Sequence, residues 1–114
     1  MNLSFDRCGE VGIVRVESNR IDAGAAIQFK DRFREVIAGA ESDVILDLSQ
    51  VEFLDSSGLG AVVAARKLMP TGKELGLAGL TPAVDKVMRL TRMNTVFEIH
   101  PDLPSALAAR GTAS

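Results

Sequence analysis

The sequence predicts a single α/β domain, with a mixed and mostly parallel sheet that follows an N-terminal hairpin and has helices packed on it. Between residues 3 and 16, apolar residues alternate on either side of Gly9, which indicates two short strands joined by a turn. After residue 17, apolar runs of strand length alternate with segments of helical spacing, which favours parallel strands with right-handed crossovers. The 114 residues are enough for one compact domain, which we place at residues 1–110, with a disordered tail at 111–114.

The first predicted helix runs from about residue 24 to residue 39 and is preceded by a loop at residues 18–22. Asp22 is placed to cap the start of this helix, and Gly39 is expected at its C-cap. The apolar stripe that should face the core consists of Ala26, Phe29, Phe33, Val36, Ile37 and Ala40.

The central stretch, residues 43–69, predicts a buried strand that leads directly into a helix. Its apolar run, from Val44 to Leu54, is followed by a polar hinge made of Asp55, Ser56, Ser57 and Gly58. Side-chain oxygens of Asp and Ser can accept the N–H groups that a first helical turn leaves open. Gly58 and Gly60 each cost about 1 kcal/mol relative to Ala inside a helix, so we expect another group to approach this turn closely.

The C-terminal part predicts two more strands and two more helices. A short strand is expected at residues 74–78, and a helix capped by Thr81 follows it. That helix should bury Val84, Val87, Met88 and Thr91. A fourth core strand is expected at residues 96–99, and a last helix at residues 102–110. The last helix should bury Leu103, Ala106 and Leu107.

Composition argues against several classes of function. One His and one Cys cannot supply a three- or four-ligand transition-metal site, and no carboxylate loop suits calcium, so we expect no metal and no cofactor. The net charge of −2, without a basic stripe or interleaved aromatic residues, argues against a nucleic-acid partner. A single Cys fits a reducing compartment, and no leader or long apolar run is visible. We therefore expect a cytoplasmic protein with no direct membrane insertion.

The sequence also lacks a complete set of catalytic residues, so we expect a protein that is not an enzyme. A serine hydrolase needs a base within reach of its nucleophile, and His100 is expected in an exposed loop with nothing to place it near Ser56. No glycine-rich phosphate loop is present. Asp43 and Asp47 are interpreted as solvating groups at strand edges, and Cys8 as an inert thiol. A weak serine esterase that depends on Ser56 stays open as an alternative.

One stretch resembles a known family. Residues 53–67, FLDSSGLGAVVAARK, are similar to the signature of the STAS-domain anti-sigma-factor antagonists, which are bacterial partner-switching proteins. The match is specific over these fifteen residues, and the order of elements fits over nearly the whole chain. The resemblance implies that Ser56, directly after Asp55, is phosphorylated by an anti-sigma factor that is itself a serine kinase, with Ser57 as the alternative site.

The resemblance also implies how such a protein works. The unphosphorylated form binds the anti-sigma factor and so frees a sigma factor, ATP belongs to the partner, and a serine phosphatase resets the switch. We expect the partner to contact Arg20, Asp22, Asp55, Ser56, Ser57, Gly58, Leu59, Gly60 and Arg66.

The loop before the first helix departs from the family pattern. Asn19 and Arg20 stand where the family usually has Gly and Glu, although Ile21 and Asp22 are kept. The reversed charge at Arg20 keeps a second hypothesis open. The chain could instead be a STAS-type subunit of a transporter, or of another signalling assembly, that is not switched by phosphorylation.

Overall fold

Five strands form the main sheet of the protein, as seen in a computed structural model whose described residues are 1–111. The strands, in chain order, are β1 (Leu3–Cys8), β2 (Val11–Val16), β3 (Arg20–Ile21), β4 (Val44–Asp47), β5 (Phe53–Leu54), β6 (Leu75–Ala78) and β7 (Ile99–His100). The main sheet has the order β1-β2-β4-β6-β7; β1 is antiparallel to β2 and the other neighbours are parallel. The predicted mixed sheet after a hairpin is confirmed, and the predicted tail beyond Gly111 lies outside the described residues.

The helices cover both faces of the main sheet. Within the described residues they are α1 (Ala23–Val36), α2 (Ser56–Leu68), α3 (Pro82–Leu90) and α4 (Leu103–Ala108). The first three share one main core with alternate strand residues, and its largest fully buried side chains include Phe29, Phe33, Ile21, Leu46 and Met88. On the opposite face, Ala106 and Leu107 of α4 pack in a smaller core with Ile13 and Ile45.

The apolar run that we expected to form one strand is divided into two. β4 ends at Asp47, and in the turn that follows, the Val51 N–H donates to the Leu48 carbonyl at 3.0 Å. β5 then pairs with β3 in a separate parallel sheet, so the expected loop at residues 18–22 is partly a strand. The spacing of apolar residues indicates which residues are buried, but it does not indicate where the chain passes from one sheet to another.

Two of three expected roles at helix ends were wrong. The C-cap of α1 is Ile37, and Gly39 lies in the next turn with a φ of 78°. Thr81 is the N-cap residue of α3, as expected, but its hydroxyl donates to the Val51 carbonyl at 2.7 Å and makes no cap hydrogen bond. Thr91, which we expected to be buried, is the C-cap of α3 and is exposed, and its hydroxyl donates to the Val87 carbonyl at 2.7 Å. A Gly or Thr near a helix end also suits tertiary roles, which sequence alone does not reveal.

The expected core strand at residues 96–99 was wrong as well. β7 consists only of Ile99–His100, at the edge of the sheet. Met93–Thr95 form a single 3-10 turn, which is preceded by Arg92 with a φ of 59° in the left-handed region. Val96 is 40% exposed. A short apolar run does not by itself distinguish a strand from a turn that contributes one side chain to the core.

Candidate functional site

The candidate site lies where β3 and β5 run side by side and then lead into α1 and α2. The residue that follows each strand, Asp22 or Asp55, is the N-cap of the next helix. Asp22 Oδ1 accepts the Ala25 N–H at 3.1 Å, which confirms its expected capping role. Asp55 Oδ1 accepts the Gly58 N–H at 2.8 Å. Two helices therefore begin next to each other, each held by an aspartate.

Asp55 also connects the two helix starts directly. Its second oxygen, Oδ2, accepts the N–H of Ala23, the first residue of α1, at 3.3 Å. One carboxylate thus satisfies open N–H groups on both α1 and α2. Two roles for Asp55 are to be distinguished, holding the local turn and positioning Ser56 for a kinase. The hydrogen bonds support the first role, and the second stays a prediction.

Ser56 and Ser57 are the first two residues of α2, and both are exposed. Because Asp55 occupies the N-cap position, neither serine is needed to start the helix. The hydroxyls are therefore accessible to the active site of another enzyme.

The two glycines of this turn have different surroundings. A Cβ built on Gly58 would lie 1.9 Å from the Ile21 carbonyl oxygen and 2.8 Å from Leu54 Cδ1. The group that approaches Gly58 is therefore the backbone of β3, within the same chain. A Cβ on Gly60 would meet nothing within 4 Å, and this residue is exposed. The expected close approach is thus intramolecular at Gly58, whereas at Gly60 the surface is open to a second molecule.

Arg20 and Phe53 form an exposed pair beside the serines. They are opposite each other in the β3–β5 pairing, and the Arg20 guanidinium carbon lies 4.7 Å from the centre of the Phe53 ring. Arg20 Nε is also 3.0 Å from Asp22 Oδ2. Phe53 is 44% exposed, so its expected place in a buried strand was wrong. Successive strand residues point to opposite faces, and in this two-residue strand Leu54 takes the buried face.

The outward face of α2 continues away from Ser56. At 3.6 residues per turn, the residues that follow Ser56 along this side of α2 are Gly60, Val63 and Lys67; Gly60 and Lys67 are exposed, whereas Val63 is partly buried against the main core. Arg66, which we expected on the partner surface, is exposed but lies off this line, beside Lys73 and Val96 in a different cleft. Its contact role stays a prediction. Lys67 is exposed and lies eleven residues after Ser56, which is close to three full helical turns.

Two other side chains that were considered for chemistry have structural contacts. His100 belongs to β7, and its Nε2 is 2.7 Å from Glu98 Oε1, so the expectation of an exposed loop histidine was wrong. Asp47 is buried and accepts hydrogen bonds from Arg15 Nε at 3.3 Å and from the Ser49 N–H at 2.9 Å. It is therefore not a solvating group at a strand edge, as we had expected.

A second charged cluster lies at the other end of the main sheet. Its centre is Arg110, whose side chain is only 10% exposed. Its guanidinium nitrogens are 3.0 Å from an oxygen of Asp43, 3.8 Å from one of Glu74 and 3.5 Å from one of Glu98. These acids come immediately before β4, β6 and β7, and Asp43 also accepts the Glu74 N–H. Asp43 is thus part of an ion-pair network, contrary to our expectation of a solvating group.

Metal-binding clusters and membrane-spanning helices are both absent from residues 1–111. No group of three or more His, Cys, Asp or Glu side chains in this part of the chain is arranged to hold a metal ion. No helix in the same residues has the length and apolar character needed to cross a membrane.

Comparisons with known proteins agree with one another. A family model described as the STAS domain matches residues 2–106. An anti-sigma-B factor antagonist of Listeria monocytogenes is 34% identical over 84 residues, which cover 72% of this chain and 73% of the relative. An anti-sigma F factor antagonist of Paenibacillus polymyxa is 24% identical over 110 residues, or 94% of each chain. The crystal structure of an anti-sigma factor antagonist from Mycobacterium paratuberculosis has a TM-score of 0.83 at 28% identity, and the match covers 95% of this chain and 92% of that one.

Proposed function

The chain belongs to the STAS domain family, and we propose that it is a cytoplasmic anti-sigma-factor antagonist controlled by phosphorylation of Ser56. The observation that carries the proposal is the exposed Ser56 at the first position of α2, next to two aspartates that already cap both helices. The names of the relatives support the choice of an anti-sigma factor as the partner. The unphosphorylated protein binds this partner and so releases a sigma factor.

In this proposal the chain is a substrate of its partner, not an enzyme. The Ser56 Oγ attacks the γ-phosphorus of ATP held by the kinase, so that a new Oγ–P bond forms and the bond to the ADP oxygen breaks. The hydroxyl proton leaves to a base of the kinase or to water. A serine phosphatase later hydrolyses the Oγ–P bond with water and restores the hydroxyl. The chain itself contributes an accessible hydroxyl on a rigid helix start.

Phosphorylation changes binding more than folding. It adds a charge of about −1.5 to −2 at a surface that already carries Asp22 and Asp55. In the isolated domain this phosphate is solvated by water and favoured by the positive end of α2. In the complex it must be desolvated against a partner surface that fits a hydroxyl. A penalty of about 3 kcal/mol reduces the affinity by about 100-fold.

A kinase assay with mapping of the modified residue tests the proposal. The purified protein is incubated with the serine kinases of its host and ATP, and the phosphate is located by mass spectrometry. We expect a phosphate on Ser56 and none in Ser56→Ala, whereas the matched control Ser57→Ala is still modified. A phosphate found only on Ser57 would move the site by one residue. If a pull-down recovers a membrane transport complex and no kinase modifies either serine, the transporter hypothesis replaces this one.

A further inference from the structure

We propose that Arg20 binds the phosphate of phosphorylated Ser56 within the same chain, an inference that rests on the proposed function of Ser56. Arg20 is the one basic residue in the two segments that form the site, residues 18–24 and 52–60. The same segments contain three acids, Asp22, Glu52 and Asp55. A phosphate added here increases the negative charge, and Arg20 is the side chain of these two segments that can offset it, in addition to the positive end of α2.

The pairing of the small sheet brings Arg20 to the correct side of the site. Side chains alternate along each strand, so Arg20 and Asp22 share the outward face of β3 and its continuation. On the neighbouring strand, Phe53 and Asp55 occupy the matching positions, and Ser56 follows directly. The 4.7 Å contact with Phe53 and the 3.0 Å contact with Asp22 hold the guanidinium at this face.

The contacts of Arg20 can be exchanged for a phosphate because they are exposed. The Arg20 side chain is 57% exposed and that of Asp22 is 34% exposed, so their ion pair is weakened by water and salt. A phosphate dianion offers three oxygens and more charge than a carboxylate, and the planar guanidinium can contact two of those oxygens at once. Asp22 does not need Arg20, since its other oxygen remains bonded to the Ala25 N–H.

This exchange would change the partner surface in a second way, beyond adding charge. When the guanidinium turns to the phosphate, the Phe53 ring loses its cover and Asp22 loses its cation. The phosphorylated protein then presents an apolar ring and two carboxylates where the unphosphorylated protein presents an arginine. The position of the Arg20 side chain therefore makes the partner-facing surface different before and after phosphorylation of Ser56.

A phosphorus NMR titration tests the proposal without the kinase. Phosphoserine is placed at residue 56 by genetic encoding, and the second pKa of the phosphate, about 6 in an isolated phosphoserine, is measured at low salt. A neighbouring cation stabilises the dianion and lowers this pKa. We expect the pKa in the wild-type background to be about 0.5 units lower than in Arg20→Gln.

Arg89→Gln is the matched control. Arg89 Nε lies 2.9 Å from Asp85 Oδ2, and the two side chains are 64% and 34% exposed, nearly the values of Arg20 and Asp22. Arg89 is in the last turn of α3. It lies about 12 Å along the helix from Thr81, the N-cap residue whose hydroxyl contacts Val51. We expect this control to leave the phosphate pKa at the wild-type value.

Equal phosphate pKa values in the wild-type background and in Arg20→Gln would overturn the proposal. An equal increase of the phosphate pKa in Arg20→Gln and in Arg89→Gln would overturn it as well. Failure of the proposed function has a different result. In that case no host kinase modifies Ser56, while the encoded phosphoserine still shows the effect of Arg20 on its pKa.

Discussion

Arg20 and Arg110 both pair with aspartates, but at opposite ends of the molecule and with opposite exposure. At the switch end, which comprises Arg20, Asp22, Asp55 and Ser56, the arginine side chain is 57% exposed and lies over a surface ring. At the anchor end, which comprises Arg110, Asp43, Glu74 and Glu98, the arginine side chain is 10% exposed. An exposed pair contributes little to stability, whereas a buried charge is costly once it loses its partners.

Under the proposed function, this difference separates the residues used for recognition from those that contribute most to stability. The three acids of the anchor end immediately precede three neighbouring strands, so Arg110, which follows α4, connects the C-terminal end of this helix to the starts of all three strands. Gly76 makes room for this arginine, because a Cβ there would lie 3.2 Å from Arg110 Nη2. Charges at the switch end can change their partners without loosening the core, since the anchor end is independent of them.

The largest effect on stability is expected at the anchor end. Arg110→Ala should lower the free energy of unfolding, measured by urea denaturation, by about 3 kcal/mol, because it removes a side chain that is only 10% exposed together with its packing and its charged hydrogen bonds to Asp43 and Glu98. Arg34→Ala is the exposed control: Arg34 pairs with Asp31 at 3.4 Å, and both side chains are more than 60% exposed. We expect it to cost less than about 0.5 kcal/mol. Similar losses in both variants would break the comparison between buried and exposed pairs.

Alanine at the two glycines of α2 should separate folding from recognition. Gly58→Ala places a Cβ against the Ile21 carbonyl oxygen and should cost about 2 kcal/mol by urea denaturation. Gly60→Ala meets no atom within 4 Å and should stabilise the free protein by about 1 kcal/mol. We also expect Gly60→Ala to weaken binding of the partner, measured by calorimetric titration. If it binds as tightly as the wild type, the partner does not approach this turn.

Asp22 should contribute to both properties. Asp22→Ala removes the N-cap of α1 and should lower the free energy of unfolding by about 1 kcal/mol, and it should weaken partner binding as well. Asp102→Ala is the matched control, because Asp102 caps α4 by accepting the Ser105 N–H at 2.8 Å on the other face of the sheet. We expect Asp102→Ala to lower the free energy of unfolding but to bind the partner with the affinity of the wild type. Normal binding by Asp22→Ala would restrict that residue to a structural role.

The smallest effect concerns the pH dependence of stability. Hydrogen bonds from Ser105, through its side chain and its backbone, hold the pKa of Asp102 below its ordinary value. A carboxyl group with a lowered pKa in the folded state stabilises the fold above its unfolded pKa, near pH 4, and loses this contribution as the pH falls through the folded value. Asp102→Asn should therefore reduce the slope of unfolding free energy against pH below about pH 4. An unchanged slope in urea denaturation would contradict this.

The sequence predicted the features that local chemistry controls. The hairpin turn at Gly9, the start of α2 after Asp55 and the cap at Asp22 each depend on residues within a few positions of each other. The alternation of strands and helices predicted the mixed and mostly parallel character of the main sheet, because parallel crossovers leave few alternatives, but it did not predict the separate β3–β5 sheet. The family resemblance also lies in one continuous segment, residues 53–67.

Features that depend on distant partners could not be predicted in the same way. Nothing near Arg110 in the sequence indicates that it pairs with Asp43, which is 67 residues away. The exposure of Phe53 depends on β5 leaving the main sheet to pair with β3. The close approach at Gly58 was predicted from helix propensity, but the identity of the approaching group, the Ile21 carbonyl, required the fold.

The most direct test of the account compares the protein before and after complete phosphorylation of Ser56, without ATP. Partner affinity is measured by calorimetric titration, and the free energy of unfolding is measured on the same two samples. The account predicts that phosphorylation lowers the affinity by about 100-fold or more and changes the free energy of unfolding by less than about 1 kcal/mol. Equal affinity of both forms would contradict the account, and so would a loss of binding that accompanies an equally large loss of stability.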